Sequence, residues 1–151
     1  MNRETIYAAV FAFFQGLTTG GSPLFKLATR SLTTWESASP DDSPTLLMRQ
    51  RSERAQRKKG FPTKWLLDVD LFLYAHTGAN NDPAIIPAQT LNPLLDAIEA
   101  SLAVDDVSND ACTLGGLVSH CAINGTTEIF QGNLGDEAVA IVPIEILVIS
   151  G

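Results

Sequence analysis

The sequence predicts an α+β fold in which two helices pack on a mostly antiparallel β-sheet. Three observations carry that prediction. Apolar residues recur at intervals of three and four over 3–18 and again over 87–102, the spacing of a helix face. Trp65 to Ala75 instead alternates, sending Leu67, Val69, Leu71, Leu73 and Ala75 to one side and Asp68, Asp70, Phe72 and Tyr74 to the other. Ala138 to Ile149 is apolar on both sides apart from Pro143 and Glu145, as in a strand at the centre of a sheet or one covered by another subunit. The 151 residues suit one domain, 1–151, and a chain with 45% apolar and only 18% charged residues can bury a core.

The first helix is expected over 3–18, with Ile6, Val10, Phe13, Phe14 and Leu17 on its apolar side, Ala8, Ala9 and Ala12 between them, and Gly20, Gly21 and Pro23 as its stop. The run Ile6 to Phe14 behind Arg3 has some look of a signal peptide. Glu4 cancels the charge in front of it, no small-x-small cleavage site follows, and nine apolar residues fall short of the ~20 that span a bilayer. A soluble protein is expected. Phe25 to Trp35 reads as an edge strand, Ser39 to Pro44 as a turn cluster and Leu46 to Gln50 as a second strand. The polar stretch that follows, at about 50–61 and ended by Gly60 and Pro62, reads as a flexible basic loop.

After the strand Trp65 to Ala75, Gly78, Asn80, Asn81, Asp82 and Pro83 mark a loop. The second helix, Pro87 to Leu102, has Leu91, Leu94, Leu95, Ile98 and Leu102 on one side and Asp96 and Glu99 on the other. Either it begins near Pro87 and bends at Pro93, or Asn92 caps it and Pro93 takes the first helical position. Asp105 to Asp110 is a polar loop. Leu114 to Ile123 and Thr126 to Phe130 read as strands joined by the tight-turn pair Asn124-Gly125, or as one long strand with a bulge at Gly125. Gly132, Asn133 and Gly135 precede the last strand.

Charge is segregated along the chain. Residues 1–64 contain all ten basic and five acidic side chains, whereas 65–151 contain twelve acidic and no basic ones. Arg49, Arg51, Arg54, Arg57, Lys58 and Lys59 crowd into one stretch opposed only by Glu53. Such a run is commonly a solvated face; read more sharply, it is a contact arm for nucleic acid or for the acidic part of a neighbouring copy.

Catalytic patterns are not found. His76 and His120 are the only histidines, and Cys112 and Cys121 have neither zinc-ribbon nor Cys-x-x-C spacing, which fits a reducing compartment. Cys121 reads as a buried small hydrophobe and His120 as a surface residue. Asp106, Ser108 and Asp110 imitate the start of a calcium loop, but Ala111 replaces the required glycine and Leu117 the closing glutamate. Gly115-Gly116 lacks the Lys-Ser/Thr of a phosphate loop, and no G-x-S-x-G or H-E-x-x-H occurs. Asp68, Asp70 and Glu145 read as carboxylates of a solvated sheet face, not as an acid/base pair, and Asn124-Gly125-Thr126 as a turn, not a glycosylation site. No RNA-binding aromatic motif or helix-turn-helix spacing is present. No cofactor, metal or enzymatic activity is expected; the rival reading is a small cytoplasmic enzyme or binding protein that uses a pocket near His76 and His120.

The order FPTKWLLDVDLFLYAHTGA, LNPLLDAIEASL, TLGGLVSHCAINGTTEIFQG and GDEAVAIVPIEILV resembles the tail-terminator or tail-completion (neck) proteins of long-tailed bacteriophages. The resemblance covers 3–149 in element order and is most specific from Phe61 to Ile149. Related head-completion and minor tail proteins share the layout. It implies a virion protein without catalytic residues that forms a ring, usually six-fold, on the tail tube, made in the host cytoplasm and placed in the tail or neck. Its partners would be copies of itself, the tail tube protein and the head–tail connector, with DNA passing through the lumen without specific binding. The basic stretch Arg49 to Lys59 would then serve a subunit or partner interface. Some of Asp68, Asp70, Glu128, Asp136 and Glu145 would face the lumen and repel phosphates.

Overall fold

The computed structural model describes residues 1–31, 39–78, 82–131 and 136–150. It has the expected α+β architecture: two helices and a six-stranded, mostly antiparallel sheet. Helix α1 spans Arg3–Gln15, with the Thr5 N–H donating to Asn2 Oδ1 at its start. It ends earlier than the spacing predicts. Gly16 closes it, and the chain doubles back so that the Leu24 N–H donates to the Leu17 carbonyl at 2.8 Å. Strands β1 (Thr18–Thr19) and β2 (Ser22–Pro23) form that return, with Gly20 and Gly21 at φ 58° and 83° as the two-residue turn.

Strand β3, Leu27–Thr29, lies parallel to the start of β4, Thr45–Gln56, and a 3-10 turn at Pro40–Asp42 fills the predicted turn cluster. Of the strand expected from Phe25 to Trp35, Phe25, Lys26, Arg30 and Ser31 lie outside β3 because only Leu27–Thr29 finds ladder partners on β4, and 32–35 fall outside the described residues, as do Asn80 and Asn81 of the loop after β5 and Gly132, Asn133 and Gly135 before the last strand. Strand β5, Thr63–His76, pairs antiparallel with β4 along its length. The loop expected at 50–61 is therefore confined to 57–62. Gln50–Gln56 is strand, because β5 supplies a ladder partner and an edge strand tolerates charge on both sides.

Helix α2, Ala88–Ser101, begins at Pro87 and contains Pro93, so the earlier of the two predicted starts holds. Beyond it, Leu114, Gly115 and Gly116 have φ of 52°, 73° and 87°, values that no strand accommodates. The strand expected from Leu114 therefore begins only at β6, His120–Ile123. Strand β7, Glu128–Gln131, does not fold back on β6 as a hairpin. Both strands pair with β8, Glu137–Ser150, at successive positions along one edge. This is the interrupted single strand, not the Asn124-Gly125 hairpin.

Pro143 explains the interruption. The Asn124 N–H donates to the Pro143 carbonyl, so the N–H that Pro143 lacks would have pointed to the same side. Residues 124–127 bulge past Val142 and Pro143, with Gly125 at φ 128° against the proline ring. The other side of β8 keeps an unbroken ladder to β5 from Thr63↔Ser150 to His76↔Glu137.

The order across the sheet is β3-β4-β5-β8, then β6 and β7. The apolar side of β5 foreseen from its alternation is buried with Leu46, Met48, Val142, Ile144 and Ile146 beneath both helices. Tyr7, Val10 and Phe14 of α1 and Leu91, Leu94 and Ile98 of α2 close that layer. At about 25 cal/mol per Å² of apolar surface removed from water, this single layer is the main source of stability.

Candidate functional site

Among the described residues the opposite side of the sheet bears no helix, and the register brings many of the sequence-predicted site residues onto it. Asp68, Asp70, Phe72, Tyr74 and His76 of β5 share this face with Val139, Ile141, Pro143 and Glu145 of β8 and with Glu128 of β7. Asp68 and Glu145 are directly opposite, and the Ser52 hydroxyl donates to Asp68 at 2.5 Å. A small apolar group of Leu47, Tyr74 and Val139, flanked by Phe72 and Ile141, occupies the end nearest the start of β8. Burial raises the Tyr74 hydroxyl above its usual pKa. Asp136 precedes β8, and its carbonyl accepts from the N–H and hydroxyl of Thr77.

The basic stretch divides in two. Arg49 donates to Asp70 at 2.6 Å and lies over the Phe72 ring, while Arg51 is 3.5 Å from the same carboxylate. Asp70 is 3% exposed, so two cations neutralise a buried acid within one chain. Arg51 is also the bulged residue of β4, between the pairs Gln50↔Val69 and Ser52↔Asp68. The bulge reverses the alternation and turns Glu53 to the helix side. There Glu53 accepts from Arg3 Nε at 2.6 Å and from the Tyr7 hydroxyl at 3.0 Å, and Arg3 lies over Trp65. Burial, and then this hydrogen bond to a carboxylate, raise the Tyr7 hydroxyl well above its ordinary value.

Past Glu53 no acid occurs before Asp68. Arg54, Arg57, Lys58, Lys59 and Lys64 are exposed and, among the described residues, have no ion-pair partner. Sequence reasoning treated the stretch as one patch; the lone acid Glu53 was the available signal that it is not.

Both edges of the sheet are open among the described residues. Strand β3 covers only Thr45–Leu47, so β4 presents a bare basic edge from Arg49 to Gln56. The far edge shows Ile123, Ile129 and Phe130 to solvent. That edge was not singled out in the sequence, although Ile129 and Phe130 in a short strand were visible there.

The two histidines do not share a pocket. His76 pairs with Glu137 and His120 with Leu147, ten residues apart along β8; at about 3.3 Å per residue they are roughly 33 Å apart. His76 Nδ1 is 3.1 Å from Glu137 Oε1, while His120 is half-buried and its Nδ1 accepts from the Cys112 N–H. Cys112 and Cys121 are free and buried, and burial pushes the Cys121 thiol up to about 12. In the calcium-like loop, Asp106 accepts from the Ser108 N–H and the Asn109 amide, closing a local turn. Asp105 accepts from the N–H groups of Gly115 and Thr113, in that order the causes that hold its carboxyl below the usual range.

No family model matches the chain, and no curated protein matches it. Among the described residues no helix is long and apolar enough to cross a membrane.

Proposed function

We propose that this chain is a structural subunit of the tail-terminator or tail-completion kind, which forms a ring at the top of a long phage tail tube, ends tube growth and offers the head connector a surface to join. The observation that carries this reading is the one-sided construction of the sheet: both helices lie on one face, and among the described residues the other face has no helix and both edges lack a full-length partner strand. Ring closure needs two different patches per subunit that fit each other. A basic edge on β4 and an edge on β7 with exposed Ile129, Phe130 and Glu128 are two such patches. The ring is homohexameric, its neighbours are the tube protein and the connector, and its place is the virion neck after assembly in the host cytoplasm.

Asp68, Glu128 and Glu145 share the helix-free face and would repel phosphates if that face lines the lumen. Asp70 would contribute little there, since Arg49 and Arg51 neutralise it. The action is steric: one ring face mimics a tube subunit, the other accepts no further tube ring, and no bond is made or broken.

The test is the light-scattering mass of the purified chain, alone and mixed with tail tubes, followed by imaging of where the ring sits. A mass of about six chains, or capture at one tube end, supports the reading. A monomer at high concentration that ignores tube ends overturns it, and a ring located on the connector side would make it a head-closure protein instead.

A further inference from the structure

We propose that the tip of the β4–β5 hairpin binds the phosphate backbone of duplex DNA, without reading its sequence. The proposal stands independently of ring formation. The tip holds Arg54, Arg57, Lys58, Lys59 and Lys64 with no carboxylate from residue 54 to residue 67, although the whole chain has a net charge of −7. Every other arginine has an acidic partner: Arg3 has Glu53, Arg30 has Glu4, and Arg49 and Arg51 have Asp70. The five tip cations have none among the described residues, so no ion pair offsets their charge.

Two features favour phosphate over an acidic protein surface. Three of the five cations are lysines, a residue depleted where proteins desolvate one another but an ordinary partner for phosphate. Phe61, 63% exposed with Lys58 Nζ 4.7 Å from its ring centre, gives the turn an apolar surface that can lie against sugars and bases. Lys64 contributes least of the five, since Asp106 and Asp110 line the same surface cavity.

The experiment is fluorescence anisotropy of a labelled 20-bp duplex of arbitrary sequence, titrated with the full chain across a salt series. Four phosphate contacts predict a slope of log K against log salt of about −3.6, at about −0.9 per contact. Replacing Arg57, Lys58 and Lys59 with Ser should weaken binding at low salt at least about tenfold and reduce the slope by about 2.7, with an unchanged thermal melt. Arg30→Ser removes one positive charge elsewhere and should leave the slope alone. Absence of duplex binding at 50 mM salt overturns the proposal, as does binding that the triple variant retains. It is also overturned if the wild-type chain ignores DNA but self-associates through these three residues, which would make the tip a contact between copies.

Discussion

At Asp70 a buried carboxylate meets two half-exposed guanidinium groups, and the two sides of that contact should respond unequally to substitution. Removing Arg49 and Arg51 together leaves the acid buried and unpaired, and should cost about 2 kcal/mol in urea unfolding. That is below the ~3–5 kcal/mol of a fully buried pair, because water reaches both arginines. Asp70→Asn releases the cations to solvent and should cost under ~1 kcal/mol; equal costs would mean that the pair contributes no more than its packing. The thiols behave differently from reactive cysteines. With Cys121 pushed up to about 12 by burial and Cys112 also raised by it, neither should react with a thiol reagent at pH 8 until the protein unfolds. Labelling of the native chain within minutes would contradict the buried assignment. Asp105 titrates below its ordinary value of 3.8, so its support of the 105–115 loop is present above about pH 4 and is lost as pH falls through the lowered value. Amide exchange at Thr113 and Gly115, followed from pH 6 downward, should show protection disappearing over that range.

Strands β6 and β7 take their form from one residue of the strand beside them. Pro143 withholds a donor on their side only, leaving the β5 ladder intact, and Gly125 fills the resulting bulge with a backbone that a side chain would disturb. A Cβ at Gly125 would meet Pro143 Cγ at 3.2 Å in a positive-φ conformation, so Gly125→Val should lower stability by roughly 1–3 kcal/mol. The urea midpoint should fall with the slope unchanged; no shift would mean that the bulge re-forms without cost. The bulge at Arg51 has the opposite consequence, joining elements instead of separating them. By turning Glu53 toward Arg3 and Tyr7 it ties the first turns of α1 to the basic end of β4.

At the scale of the whole sheet, helices on one face and, among the described residues, two uncovered edges make a shape suited to joining others. The two edges are not equivalent. Arginines and a bulge protect β4 from indiscriminate pairing, whereas β7 exposes Ile129 and Phe130 without a basic or proline guard. Under the ring reading, Ile129→Lys should leave the monomer folded and reduce the assembled mass, since the change adds a charge at an edge that must be covered. Assembly unchanged by this substitution would show that rings, if they form, use another surface.

The sequence by itself determined which side of β5 is core, the central place of β8, the two helices and the basic character of the arm, because alternation and helical spacing are local patterns that burial enforces residue by residue. Tertiary structure alone decided that Arg49 and Arg51 are spent on Asp70, that Glu53 faces the helices, that His76 and His120 lie at opposite ends of the sheet and that Asn124-Gly125 is no hairpin. Each of these depends on strand register, and register is set by partners far along the chain: a single bulge inverts a face, and a single proline opens a ladder on one side.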